Sequence, residues 1–181
     1  WALVELPGGP APNLDLEVAD AVAATVLALV DADIQIRDGA RAEPLQPLRV
    51  AVGTAHTAQV DAVRRALREQ CIAANRVVPA VVISTANRLQ GREFDVTIVW
   101  HPLSGRTDPG EFHLDPGRLC VLLSRHRHAC IVVSRAGFSE QLLLTPPPAE
   151  DWAGSTSGAD GWAAHRVVLD HLAGRRVEVE P

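Results

Sequence analysis

Four short apolar runs, separated by segments of helical periodicity, set the tightest limit on how this sequence can fold. LRVAVG (Leu48–Gly53), Val77–Thr85, DVTIVW (Asp95–Trp100) and ACIVVS (Ala129–Ser134) are rich in β-branched residues and end in turn residues or polar breaks. Short strands that are apolar on both faces belong in a sheet covered on each side. The intervening patterns supply the cover. Asn13 or Asp15 is placed to cap a helix reaching about Val30, with Leu16, Ala19, Ala23, Val26 and Val30 on one apolar face. Thr57 is placed to cap a second helix over Thr57–Ala73. That helix would bury Val60, Val63, Leu67 and Cys71 and turn Arg64, Arg65, Arg68 and Glu69 outward. Pro116–Arg125 reads as a short helix, and Trp162–Ala173 as a last one carrying Val167, Leu169 and Leu172. The alternation predicts an α/β fold with a mostly parallel sheet and helices on both faces.

A length of 181 residues suits one domain with a full core. Residues 1–47 read as an apolar lead-in (WALVELPGGPAP), a helix and an exposed loop from 31 to 47. Residues 48–145 read as the core, 146–161 as a Pro- and Gly/Ser-rich linker, and 162–181 as a terminal helix and tail packed on the core. No run approaches the roughly 18 apolar residues of a membrane span, so no membrane partner is expected. The chain opens on Trp1 and has no Met, which reads as a piece of a longer protein. Cys71, Cys120 and Cys130 lack framework spacing and read as thiols of a reducing compartment, hence a cytoplasmic protein. The net charge of -5 gives no bulk signature of nucleic-acid binding, so any such contact must be local. All 17 basic side chains are Arg. Without a Lys, these residues cannot contain a G-x-x-x-x-G-K-[ST] phosphate loop.

In open parallel sheets, ligands gather beyond the strand carboxyl ends. Three polar segments are expected there: GTAHTAQ (Gly53–Gln59), STANRLQGREFD (Ser84–Asp95) and RLCVLLSRHRH (Arg118–His128). STANRLQGREFDVTIV resembles motif V of superfamily 1 helicases, RLCVLLSRHRHACIVV resembles motif VI, and AHTAQ is similar to motif IV. The similarity is best over Leu48–Ser134 and closest to the branch of RNA-surveillance and DNA-replication helicases that move 5′ to 3′.

The resemblance implies a RecA-like second motor domain of the P-loop NTPase fold, without its own phosphate loop. ATP with Mg²⁺ would sit between it and a first RecA-like domain of the same longer chain, which supplies the phosphate loop and the Mg²⁺ ligands. Single-stranded DNA or RNA would be the track. Arg125 takes the position of the motif VI arginine finger; a guanidinium stays ionised and its fork matches phosphate oxygens. Glu93 matches the motif V glutamate near the ATP ribose or phosphates, with Gln90, Gly91 and Arg92 beside it. Gln59 and His56, in the motif IV segment, are placed with the nucleotide, His56 near the adenine or a base. Ser84, Thr85 and Asn87 match positions near the nucleic-acid backbone.

Plainer readings stay open beside these. Arg125 and Arg92 also read as surface ion-pair residues, Gly91 as a turn, Gln59 as a helix-start cap, and Ser84 and Thr85 as strand-end caps. Val60 stands where some relatives carry a second phosphate-contacting Arg, which leaves Arg64 as a replacement or Arg125 alone. Arg118 is expected to order its segment by pairing with a carboxylate. His126, His128 and Cys130 would share a face if the last strand began early, but with Cys120 and His113 they lack a recognised zinc spacing, so no metal is expected. Two other functions stay open: a non-catalytic helicase-like docking module, and an unrelated α/β nucleotide-binding regulatory domain.

Overall fold

Apolar side chains of the strands alternate between two buried faces, and this alternation builds the molecule. The computed structural model describes residues 1–9, 14–106, 109–137 and 157–177. Its elements are β1 (Ala2–Leu6), α1 (Leu16–Asp31), β2 (Gln35–Asp38), β3 (Arg41–Pro44), β4 (Val50–Thr54), α2 (Thr57–Ala73) and β5 (Val82–Thr85). They continue with α3 (Ala86–Leu89), β6 (Phe94–Trp100), α4 (Glu111–Leu114), α5 (Pro116–Leu123), β7 (His126–Arg135), α6 (Ser157–Ala173) and β8 (Arg176–Val177).

Among the described residues six strands form one sheet in the order β5-β4-β6-β7-β1-β8, with each of these pairings parallel. On one face Val4, Val52, Ile98, Trp100 and Val133 pack against Val18, Val22 and Val26 of α1 and Val63 and Leu67 of α2. On the other, Leu3, Val99 and Val132 meet Leu119, Leu122 and Leu123 of α5 and Leu172 of α6. The sheet is therefore the doubly covered, parallel α/β arrangement that the strand pattern predicts.

Gly53 lets the second layer approach closely. A Cβ there would lie 2.8 Å from Leu122 Cδ2 and 3.3 Å from Leu89 Cδ1, so α3 and α5 rest directly on β4.

Several expectations change. The apolar lead-in is a sheet strand: β1 lies between β7 and β8, with Leu3 opposite Val132 and Val4 opposite Val133. The exposed loop from 31 to 47 contains an antiparallel hairpin, Ile36 opposite Glu43, although its residues stay largely solvent-facing. The Val77–Thr85 strand shrinks to Val82–Thr85, because Pro79 breaks it and Val77 is 88% exposed. Asp15 caps α1, accepting from the Val18 N–H at 3.3 Å. The buried face of α1 is Val18, Ala19, Val22, Ala23 and Val26, while Leu16 is 46% exposed.

Helix α2 has the expected span and face, but His56 rather than Thr57 is its N-cap. Helix α5 stops at Leu123, two residues short of Arg125, and β7 starts at His126. The last strand does begin at His126, but a register shift between Phe94–His126 and Val96–Ala129 breaks the alternation that would set His126, His128 and Cys130 on one face, and among the described residues no three metal-ligating side chains gather. Helix α6 begins at Ser157, inside the expected linker, and its Val167 is 68% exposed. Asn13, the prolines 146–148 and the last residues of the tail lie outside the described residues. No described helix is long and apolar enough to cross a membrane.

Two buried imidazoles make the fold acid-sensitive. His101 and His165 are both fully buried, with ring centroids 5.2 Å apart. Burial pushes His101 well below its usual value and His165 down to about 4, the latter against the opposing hydrogen bond to the His113 carbonyl. Both are neutral in the folded chain, while unfolded imidazoles take up protons near pH 6.5. Stability is therefore full above that pH and falls as the pH drops, for His165 until about pH 4, with His101 adding to the loss in the same direction. Urea unfolding between pH 7.5 and 4.5 should show this slope, and His165→Gln should flatten it. A wild-type stability constant over that range would contradict the assignment.

Candidate nucleotide edge and strand edge

Because the sheet is wholly parallel, its two ends differ chemically, and the structure distributes the candidate residues between them. Chain segments that leave strands β4 and β5 lie at the carboxyl end. Segments that enter β6 and β7 lie at the amino end. The two ends are separated by the strands themselves, roughly 15 Å for five residues.

At the amino end, Glu93 and Arg125 stand side by side. The Phe94 N–H donates to the Arg125 carbonyl at 2.9 Å, and Phe94 pairs with His126. Gly91, with φ of +76°, makes the left-handed turn that delivers the chain from α3 into β6, with Gln90 before it. Arg92 lies over the Phe94 ring at 5.0 Å. Arg127 donates from Nε and Nη2 to Glu93 Oε2 at 3.1 and 3.0 Å.

Arg125 is half-buried. Its Nη2 donates to Ser124 Oγ at 2.7 Å, and its buried Nε has no hydrogen-bond partner among the described residues. No carboxylate among them pairs with it. Close by, Arg49 Nη2 meets Oδ1 of Asp95, whose side chain is 1% exposed, at 2.6 Å. The β2–β3 hairpin roofs a polar cavity of about 250 Å³, lined by Arg41, Glu43, Arg49, Arg127 and His128 among others.

At the carboxyl end sit His56, Gln59, Ser84, Thr85 and Asn87. Gln59 is buried and its Oε1 accepts from the Ala55 and His56 N–H groups at 3.1 and 3.0 Å. That is the helix-start role left open above, and it uses the amide oxygen. His56 stacks on Phe112 at 4.7 Å, and its Nε2 lies 3.1 Å from His113 Nε2. Burial, then the charges of Arg106 and Arg118, hold the His56 imidazole below its usual pKa. Thr85 is the N-cap of α3 without spending its hydroxyl on a cap bond. Ser84 pairs with Gly53 in the last rungs of the sheet, and Asn87 is exposed.

The structure thus joins Arg125, Glu93, Gly91, Gln90 and Arg92 but not His56 and Gln59, which were expected beside the nucleotide. Their strand ends at the opposite edge, with Ser84, Thr85 and Asn87. Arg64 does not come to the amino end either: it donates to the Ile83 carbonyl on edge strand β5 at 3.0 Å, and Val60 is core. Arg118 pairs with Asp115 at 3.5 Å, binds the Phe112 carbonyl at 3.0 Å and covers the Phe112 ring at 3.6 Å.

Sequence reasoning missed Arg127 and the ring group of Phe112, His113, His101 and His165. The Arg-x-Arg spacing at 125 and 127, which puts two guanidiniums at one strand start, was the available signal for the first. The rings carried none, since apart from the adjacent Phe112 and His113 they meet only across the fold.

A family model described as an AAA domain matches residues 17–137. That span contains all three polar segments. No curated protein matches the chain. Among solved structures, the chain is similar to the C-terminal domain of a possible DNA helicase from Lactobacillus plantarum WCFS1, with 19% identity and a TM-score of 0.49 over 75% of this chain and 74% of that one.

Proposed function

Since the chain belongs to the AAA domain family, we propose that it is the second motor domain of an ATP-dependent nucleic-acid helicase or translocase, with its nucleotide side at the amino edge of the sheet and its strand side at the carboxyl edge. The observation that carries this reading is the state of Arg125. A half-buried guanidinium with no carboxylate partner among the described residues keeps its charge for an anion brought from outside. Neighbouring guanidiniums are already engaged: Arg49 with Asp95, Arg127 with Glu93.

In this reading ATP supplies the transferable phosphoryl group, and the loop and Mg²⁺ ligands come from the first motor domain. Arg125 stabilises the charge that develops on the phosphate oxygens. Glu93 offers an acceptor to nucleotide hydroxyls, and the Gly91 turn lets backbone approach. Ser84, Thr85 and Asn87 contact the nucleic-acid backbone without reading sequence. His56, engaged by Phe112 and His113, belongs to that strand side rather than to the nucleotide. Because nucleotide and strand occupy opposite ends of one sheet, closure of the two motor domains on ATP can shift the grip on the strand.

The test is turnover. The longer protein should hydrolyse ATP faster when single-stranded DNA or RNA is added, with a rate that falls as salt rises. The 181 residues alone should not turn ATP over, since without Lys they hold no phosphate loop. Robust hydrolysis by this domain alone, or a longer protein with no ATPase, would overturn the proposal.

A further inference from the structure

Glu93 and Arg127 face each other across the starts of β6 and β7. Two nitrogens of Arg127 donate to the same carboxylate oxygen, Oε2, at 3.1 and 3.0 Å. This orients the carboxylate and leaves Oε1 with no donor among the described residues. Other guanidiniums nearby cannot take over the task. Arg92 lies over Phe94, Arg125 is turned to Ser124, and Arg49 is tied to the buried carboxylate of Asp95. On its far side Arg127 walls the cavity under the β2–β3 hairpin.

Charge decides what the remaining oxygen can accept. An unpaired carboxylate would repel a polyphosphate; paired with Arg127 it is locally neutral and still an acceptor. Hydroxyl donors suit such a group, and Arg125 beside it, without a carboxylate partner among the described residues, suits the phosphates. We propose that Arg127 is a positioning residue that fixes Glu93 as acceptor for the ribose hydroxyls, and so makes the site prefer ribonucleotides to 2′-deoxyribonucleotides. The inference rests on the amino edge being the nucleotide side.

The experiment titrates MgADP and Mg-2′-deoxy-ADP into the longer protein by calorimetry. Wild type should bind ADP about tenfold more tightly than its deoxy analogue, the worth of one good hydrogen bond to a charged acceptor. Arg127→Ala should bring that ratio close to one, weakening ADP by about tenfold and deoxy-ADP by less than about twofold. Adding Arg127→Ala to Glu93→Gln should change nothing further, because both act through one contact.

A merely structural role for Arg127 would weaken both nucleotides equally and keep the ratio, which overturns the proposal. So would a wild type without preference, or additive effects in the double variant. If wild type binds neither nucleotide, the nucleotide-edge reading falls and takes this pair with it. If binding persists with an unaltered ratio, the pair alone falls.

Discussion

Replacing Arg125 with alanine in the longer protein is expected to lower kcat by about 10³- to 10⁵-fold, the range seen when an arginine finger is lost. Nucleotide affinity should change little, because the charge that Arg125 is proposed to meet would develop mainly during phosphoryl transfer. Stability should also be nearly unchanged, since its side chain holds only Ser124 Oγ among the described residues. Arg125→Lys should recover little, because an ammonium offers a point charge without the planar fork. Single-turnover hydrolysis separates the step from product release. A kcat within about threefold of wild type would remove Arg125 from the reaction.

The largest expected effect on stability lies at the far end of the same strand. Arg135 closes β7 and gathers three segments: Nε and Nη2 meet Asp15 at 2.5 and 2.9 Å, Nη2 meets Glu17 at 2.6 Å, and Nη1 donates to the Pro7 carbonyl at 3.1 Å. Its side chain is 12% exposed and that of Asp15 5%. Removing one partner of a buried pair strands the other, so Arg135→Ala should cost about 3–5 kcal/mol of unfolding free energy.

The pH dependence has a definite sign. Burial pushes the Asp15 carboxyl up, but Arg135, with the Val18 and Glu17 N–H groups, pulls it below its ordinary value. The wild-type pair thus stabilises above pH of about 4 and is lost as the pH falls through the lower folded value. Without Arg135, burial raises that carboxyl, and ionising it costs stability at neutral pH. The gap between variant and wild type should be widest near pH 7 and narrow in acid. Urea unfolding at several pH values tests this; a gap under about 1 kcal/mol, or one independent of pH, would show the pair to be incidental.

What the sequence reveals and hides follows from where each signal is stored. LRVAVG and DVTIVW are legible because β4 and β6 are buried on both faces, and every residue of those strands is apolar or closely packed. Helix α2 is legible because its polar residues leave one clean stripe. The buried face of α1 is not, since LEVADAVAATVLALV is apolar nearly all round and periodicity cannot choose between faces. Strand β1 is invisible for a different reason: five residues before a Gly/Pro cluster carry no hint of a partner beyond residue 126.

The AAA-domain match agrees with the family resemblance of the three segments, and their residue types are legible at once. Their division between two edges is not. Spacing along the chain does not tell whether a turn is leaving a strand, as Ser84 to Asn87 does, or entering one, as Gly91 to Glu93 does. Nor does it show Glu93 against Arg127, which needs β6 and β7 to be neighbours.

The place of β1 in the sheet also governs the order of assembly. Ala2 pairs with Ile131, so β1 has no neighbour in this sheet until β7 has been made. Closing so long a loop costs chain entropy before any rung is gained, and domains rich in such distant pairings fold slowly. Until then Leu3 and Val4 stay in water while β4, β5 and β6 can already associate through α2. Completion of this domain is therefore a late, cooperative event in which β1 is inserted beside a strand made more than a hundred residues later, and a chaperone that shields Ala2–Leu6 would act on the slowest step.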